Sequence, residues 1–182
     1  MKRTPRSFRS AILSAALLSS LPVHADELPA RKAGLWKMKD RLADPTIPEV
    51  TTQQCIGAAV ENKNAASSAA TAQEVCSKYD IQKTATGYVV DAVCSSGTFS
   101  TTRHSEFVGD PNSQYVVTST THSQRNASAP LVELTTTTEA KWLGDCKPGQ
   151  KPGDTIMSGG LKVNINDARE REGKLYLRIK KP

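Results

Sequence analysis

Beyond position 30, apolar residues repeatedly alternate with polar residues in runs that are rich in β-branched and aromatic side chains. Short stretches of turn-forming residues, such as ADPTIP and GDPNS, separate these runs. This arrangement is typical of antiparallel strands joined by short turns. The predicted strands are 34–42, 49–56, 78–83, 87–94, 98–108, 114–123 and 131–143. We therefore expect an all-β domain, formed by a curled antiparallel sheet or an open barrel.

Two threonine-rich runs, 118–121 and 135–138, lie within these predicted strands. Threonine has a good strand propensity but contributes little to a hydrophobic core. One face of an antiparallel sheet commonly meets water. We therefore predict that these threonines form the solvated face of the sheet, and the alternative is that they line a polar groove.

The segment 57–75, GAAVENKNAASSAATAQEV, breaks the alternating pattern. It is rich in Ala, Ser and Asn, and its apolar residues are too sparse for a membrane helix or a coiled coil. We predict a short helical connection between Cys55 and Cys76, with a flexible stretch beside it.

Two further strand patterns, 161–167 and 174–181, surround the charged stretch AREREG. In the second pattern, Arg178 and Lys180 alternate with Leu177 and Ile179, which predicts a hairpin with charged residues outward. We expect residues 161–182 to form this hairpin and to pack on the same domain, which would span 26–160. The alternative is a basic patch for an anionic surface.

The first 25 residues carry four basic residues and no acidic residue, followed by the mostly apolar run 11–21 and the residues VHA at 23–25. This layout predicts a secretory signal peptide over 1–25 and a periplasmic or secreted protein. The run is too short for the alternative, a membrane anchor, which needs about 20 apolar residues. Without the leader, 20 basic and 18 acidic residues leave a charge of +2, so the composition does not support nucleic-acid binding.

The chain contains four cysteines: Cys55, Cys76, Cys94 and Cys146. An even number in an exported protein predicts two disulfides, whereas a zinc site would use closely spaced pairs that are missing here. In a hairpin that turns around Ala85, Cys76 and Cys94 would face each other. This leaves Cys55 to pair with Cys146, although four cysteines allow three pairings in principle. Since few large apolar residues are available for a core, such cross-links would stabilise the fold.

Five segments together suggest a relationship to a known family. They are RKAGLWKMK, TTQQCI, GYVVDAVC, EFVGDPNSQYVV and KWLGDCKPGQKPGDTIM, in this order between positions 31 and 157. Together they resemble a bacterial exported family, domain-of-unknown-function family 3617. The resemblance implies export and a shared fold, and it carries no activity over to this chain. The chain departs from the family pattern at Ala33, where proline is usual, and at Lys37, where an acidic residue is usual.

No motif of a serine hydrolase, a phosphate-binding loop, a zinc protease or a calcium loop is present in the sequence. We therefore predict no catalytic, cofactor-binding or metal-binding residues. His104 and His122 are interpreted as polar groups on strands, with a two-histidine metal site as the alternative. Asp145 and Asp154 lie in a stretch rich in glycine and proline, which indicates a turn.

Trp36 and Trp142 are predicted to pack in the core, and the alternative is that they line a ligand pocket. We expect a non-enzymatic binding or envelope-associated protein whose partner is a small apolar ligand or an envelope protein. No cofactor, nucleic acid or membrane anchor after signal cleavage is expected. Two alternatives are a hydrolase that acts on envelope material and a small inhibitor-like module for protein interaction.

Overall fold

The computed structural model describes residues 23–24, 27–164, 166, 169–171, 174–176 and 179–180. The predicted signal peptide therefore lies largely outside the described residues, as does much of the predicted C-terminal hairpin. The strands are β1 (Val23–His24), β2 (Gly34–Leu42), β3 (Val50–Ile56), β4 (Cys76–Lys83), β5 (Gly87–Ser96), β6 (Phe99–Asp110), β7 (Gln114–Gln124), β8 (Val132–Gly144), β9 (Asp154–Met157), β10 (Lys162–Asn164), β11 (Arg169–Arg171), β12 (Lys174–Tyr176) and β13 (Ile179–Lys180). The helix α1 covers Ala58–Val75.

Eleven of these strands form one antiparallel sheet in the order β1-β4-β5-β6-β7-β8-β2-β3-β9-β10-β13. The two outermost strands have only two residues each, so nine longer strands form its main part. The ends of the sheet do not pair with each other in the described part of the chain, and the sheet is not closed. The predicted fold class, a mainly β domain with an open antiparallel sheet and a helical connection, is confirmed. Strands β11 and β12 form a separate two-stranded ribbon, and β10 pairs with both β9 and β13.

Residues directly opposite each other in antiparallel strands project to the same face of a sheet. We call the face that meets α1 the inner face, and it carries Ala92 of β5, Arg103 of β6 and Thr121 of β7, which are successive partners. The opposite face is called the outer face. The threonine-rich runs are divided between the inner and outer faces, because successive side chains of a strand point to opposite faces. On the outer face, the hydroxyls of Thr120 and Thr135 share a hydrogen bond of 3.1 Å.

The hydrophobic core lies on the inner face, around Trp36. The buried cluster consists of Trp36, Met38, Ile56, Tyr115 and Ala140, with Phe107, Val117 and Trp142 packed against it. The Trp36 side chain is completely buried, and its indole nitrogen donates to the Lys32 carbonyl at 2.8 Å. The core therefore joins the central strands β2, β3, β7 and β8.

Helix α1 is longer than the sequence predicts, because it occupies the whole segment after Gly57 and leaves no flexible stretch. Gly57 precedes the helix and provides no side-chain cap. Val60 near the N-terminal end of the helix and Ala72 near its C-terminal end are buried. It packs on β4 and β5. Since so few of its residues are apolar, the sheet surface must stabilise it. No helix in the described residues is both long enough and apolar enough to cross a membrane.

Two disulfides link distant parts of this fold. Cys76 and Cys94 are opposite each other in β4 and β5 and are bonded. The second bond joins Cys55, at the end of β3, to Cys146, just after β8. Disulfides form and persist in oxidising compartments, so these two bonds indicate that the protein folds in such a compartment.

The glycine- and proline-rich stretch 144–157 packs around one buried carboxylate. The Asp154 side chain is 1% exposed, and its Oδ2 lies 2.8 Å from the Lys162 ammonium. Its Oδ1 accepts a hydrogen bond of 2.7 Å from the Asn164 amide, and its Oδ2 accepts one of 3.0 Å from the backbone nitrogen of Lys151. Burial alone would raise the pKa of Asp154, but these donors outweigh it and hold the pKa below its ordinary value. The stretch is therefore a structural turn, as its composition predicts.

Candidate functional site

A cavity of about 700 Å³ lies between α1 and the inner face of β4 to β7. The segment from Leu28 to Arg31 contributes to one side of it, and Ala72 and Val75 of α1 contribute to another. Strands β5, β6 and β7 contribute alternate residues, as expected for side chains on one face of a sheet. The volume lies within the range found for small-molecule sites. The fold thus builds a pocket where the helix crosses the sheet.

One end of the cavity is aromatic. The rings of Phe107 and Tyr115 stack with centroids 4.4 Å apart and planes at 22°, and Trp36 lies behind Tyr115 with ring centroids 5.5 Å apart. Val90 and Val117 extend this apolar surface. Stacked aromatic rings offer a large flat area for apolar ligand groups. The aromatic end is held rigidly, because Trp36 belongs to the core.

An ion pair joins the segment before β2 to the first turns of α1. Arg31 donates from Nε to Glu61 Oε1 at 2.7 Å and from Nη2 to Glu61 Oε2 at 2.8 Å, and both side chains are largely buried. Arg31 Nη1 also donates to the Gln54 side chain at 3.3 Å. Burial by itself would lower the pKa of Arg31, but the interactions with Glu61 and Tyr115 together outweigh this effect, so the net shift of the pKa is upward. This two-pronged pair fixes the position of the helix over the cavity.

The phenol of Tyr115 interacts with the same guanidinium group, Arg31. Burial raises the pKa of Tyr115, and the neighbouring positive charge only partly opposes this effect. The hydroxyl of Tyr115 is therefore a neutral group at physiological pH. It adds a polar atom next to the aromatic end of the cavity.

Beyond the aromatic end, the cavity becomes more polar. Ser105 and Ser119 are paired across β6 and β7, with their hydroxyl oxygens 2.8 Å apart. Further along the same face, Arg103 Nε donates to the Thr121 hydroxyl at 3.3 Å. Thr101 and Arg103 also line the cavity at this end. The cavity therefore changes from aromatic to hydroxylic and cationic along the strands.

A smaller cavity of about 320 Å³ adjoins the first one. The two share lining residues from the segment before β2, from α1 and from β4, including Arg31, Glu61, Ser68 and Tyr79. The ion pair thus borders both spaces.

Comparison with known protein families tests the family relationship that the sequence segments indicate. The family model described as "Protein of unknown function (DUF3617)" matches residues 31–146, which is more than half of the chain. The chain belongs to the DUF3617 family. No curated protein and no solved structure matches it. Both disulfides and the strand residues of the main cavity lie within the DUF3617 segment.

The two tryptophans named from the sequence of this DUF3617 protein are not among the residues that line the main cavity. Trp36 is in the core, as the favoured interpretation predicts. Trp142, opposite Trp36 in register, is half-buried, donates from its indole nitrogen to the Ala33 carbonyl at 3.0 Å and has the Lys32 ammonium 3.6 Å from its ring centroid. The aromatic cavity residues are Tyr79, Phe107 and Tyr115 instead. Alternation along β6 and β7 is the signal that could have indicated the last two.

The histidines of the DUF3617 domain lie on the outer face, away from the cavity. His104 Nδ1 is 2.8 Å from Asp91 Oδ1, and His122 Nε2 is 2.9 Å from Glu133 Oε2. The hydrogen bond with Asp91 is the main reason why the pKa of His104 is raised. Among the described residues, no group of three or more potential ligands is placed to hold a metal ion.

The two aspartates of the glycine- and proline-rich stretch 144–157 have different environments. Asp145 is exposed, and Asp154 is buried in the ion pair with Lys162 described above. Neither borders the main cavity. The chemistry available in the cavity is therefore apolar contact, hydroxyl groups, the ion pair of Arg31 with Glu61, and the guanidinium group of Arg103.

Proposed function

We propose that this protein is a non-enzymatic binding protein of the periplasm that holds a small, mainly apolar molecule beneath α1. The observation that carries the proposal is the cavity of about 700 Å³, which is large enough for a drug-sized ligand. The stacked rings of Phe107 and Tyr115 provide the apolar contact surface that such a ligand requires. The two disulfides and the pattern of the N-terminal 25 residues support the periplasmic location.

The cavity is suited to binding because its walls are held in place without a ligand. The pair between Arg31 and Glu61 fixes the helix, and the bond between Cys76 and Cys94 fixes the point where the helix enters β4. A preformed site spends little of its binding free energy on ordering its own side chains. We therefore expect binding of an apolar probe to the protein as it folds on its own.

Filling the cavity should prevent binding. Ala92 lies on the inner face of β5, lines the cavity and is largely buried, so Ala92→Phe would place a ring in the ligand space. We expect the affinity for N-phenyl-1-naphthylamine, measured by its fluorescence increase, to fall at least about tenfold, because the ring removes apolar contact area. Circular dichroism would verify that the variant is folded.

The next residue on the same strand provides the matched control. Val93 projects to the outer face and is 39% exposed, so Val93→Phe adds an aromatic ring outside the cavity. This variant should bind the probe as the unaltered protein does. A folded Ala92→Phe variant with undiminished affinity, or equal losses in both variants, would contradict the proposed site.

A further inference from the structure

The two arginines that line the cavity differ in their electrostatic environment. Arg31 is neutralised by Glu61 through two hydrogen bonds. Arg103 has a hydrogen bond to the Thr121 hydroxyl, and no carboxylate pairs with it in the part of the chain that the structure describes. Arg31, Glu61 and Arg103 are the charged groups among the described lining residues. One positive charge in the cavity is therefore uncompensated.

The position of this charge relative to the aromatic end is set by β6. Phe107, Ser105 and Arg103 are successive inner-face residues of that strand, and all three line the cavity. Four residues of a strand span about 13 Å, so this distance separates the aromatic end from the cationic end. Between them, one hydrogen bond of 2.8 Å joins the hydroxyls of Ser105 and Ser119. The middle of the cavity thus carries hydroxyl groups and no charged group.

The cationic end is also the more exposed end. Arg103 is exposed. Its partner on β7, Thr121, lies opposite Leu134 of β8, and the Leu134 side chain is 47% exposed. Phe99, four positions before Arg103 on the same face of β6, is 46% exposed. Two exposed apolar side chains therefore lie on the same face of the sheet as the charged group.

We propose that the ligand is an amphipathic anion, with an apolar chain or ring system over Phe107 and Tyr115 and a single carboxylate-like group on Arg103. This proposal rests on the proposed function, because it names the chemical class of the molecule in the same cavity. A guanidinium group pairs with a carboxylate through two parallel hydrogen bonds. The hydroxyls of Thr101 and Thr121 are the neighbouring donors. Arg103 is exposed and has no carboxylate partner among the described residues. A ligand therefore does not have to break an existing ion pair to bind it.

Three probes with the same tail test the charge preference: dodecanoate, dodecan-1-ol and dodecyltrimethylammonium. Each would displace N-phenyl-1-naphthylamine from the unaltered protein, followed by fluorescence. We expect dodecanoate to displace it at a concentration about threefold lower than the alcohol, because an ion pair with an exposed arginine contributes up to about 1 kcal/mol. The cationic probe should be the weakest. The preference for dodecanoate should decrease at high salt.

Arg103→Gln should remove the preference without weakening the binding of dodecan-1-ol. We expect the dodecanoate affinity to fall about threefold and the alcohol affinity to change less than about 1.5-fold, whereas Arg103→Lys should retain part of the preference. Arg41→Gln is the matched control, because Arg41 is an arginine of β2 that pairs with Glu139 outside the cavity. It should leave both affinities unchanged.

The outcomes separate the two proposals. Binding of N-phenyl-1-naphthylamine with equal displacement by the acid and the alcohol would overturn the anionic ligand and leave the proposed function standing. A dodecanoate preference that survives in Arg103→Gln, or that Arg41→Gln removes equally, would overturn the assignment to Arg103. Failure of every probe to bind the folded protein would contradict the proposed function itself.

Discussion

Replacing Cys55 and Cys146 together by alanine is expected to lower the free energy of unfolding by about 4–5 kcal/mol. The two residues are 91 positions apart in the chain, so their bond closes a long loop in the unfolded state. Closing a loop of this length reduces the conformational entropy of the unfolded chain by about that amount in the loop-closure model. Since whole domains are stable by about 5–15 kcal/mol, the loss would remove much of the total. Equilibrium unfolding in urea would measure it.

The other disulfide supplies the comparison. Cys76 and Cys94 are only 18 positions apart, and the same model assigns about 3 kcal/mol to their bond. The corresponding double alanine variant should therefore be the more stable of the two. A reversed order would contradict the dependence on loop length. If loss of the Cys55–Cys146 bond cost less than about 1 kcal/mol, the idea that this cross-link compensates for a small core would be wrong.

Asp154→Asn is expected to destabilise the protein by about 2–3 kcal/mol at neutral pH. The Asp154 carboxylate is buried and accepts from Lys162, Asn164 and the backbone of Lys151. Breaking a buried ion pair costs about 3–5 kcal/mol, and a somewhat smaller cost is expected here because Lys162 is 34% exposed and can turn to water. Unfolding in urea at pH 7 would show the difference.

The pH dependence of this effect has a definite sign. The pKa of Asp154 is lowered in the folded protein, so the unfolded chain takes up the proton at a higher pH, near about 4. The stabilisation by the carboxylate is fully present above that unfolded-state pKa and is lost as the pH falls through the folded-state pKa. The stability difference between the unaltered protein and Asp154→Asn should therefore shrink below about pH 4.

Asp145→Asn is the matched control for this prediction. Asp145 lies in the same turn-rich stretch but is exposed, so its replacement should change the stability by no more than about 0.5 kcal/mol. Equal effects of the two substitutions at pH 7, or a stability difference for Asp154→Asn that persists unchanged in acid, would show that the buried carboxylate does not hold this turn.

The antiparallel strands of the domain could be predicted with useful accuracy because their signals are local. The predicted strand 34–42 coincides with β2, and the other main strands differ from the predictions by a few residues at their ends. Alternation of apolar and polar residues sets the side-chain faces, and glycine and proline mark the turns. The equal spacing of Cys76 and Cys94 around Ala85 likewise placed them opposite each other.

The length of α1 could not be predicted in the same way. Its sequence offers few large apolar residues, and only the tertiary structure shows that Val60 and Ala72 are buried and that the helix packs on β4 and β5. Asp154 presents a similar case, since nothing in the residues beside it shows that Lys162 and Asn164 would be its partners. Both depend on contacts between segments that are separate in the sequence, and tertiary contacts override local preference.

The sequence by itself determined the strands, the turns and an even set of cysteines, because each of these depends on neighbouring residues or on a count. Only the tertiary structure decided that Phe107, Tyr115 and Arg103 share one cavity beneath α1. The physical reason is that a cavity exists where a helix lies over a particular face of a sheet, and its lining follows from strand order and register. Those are set by packing across the whole domain.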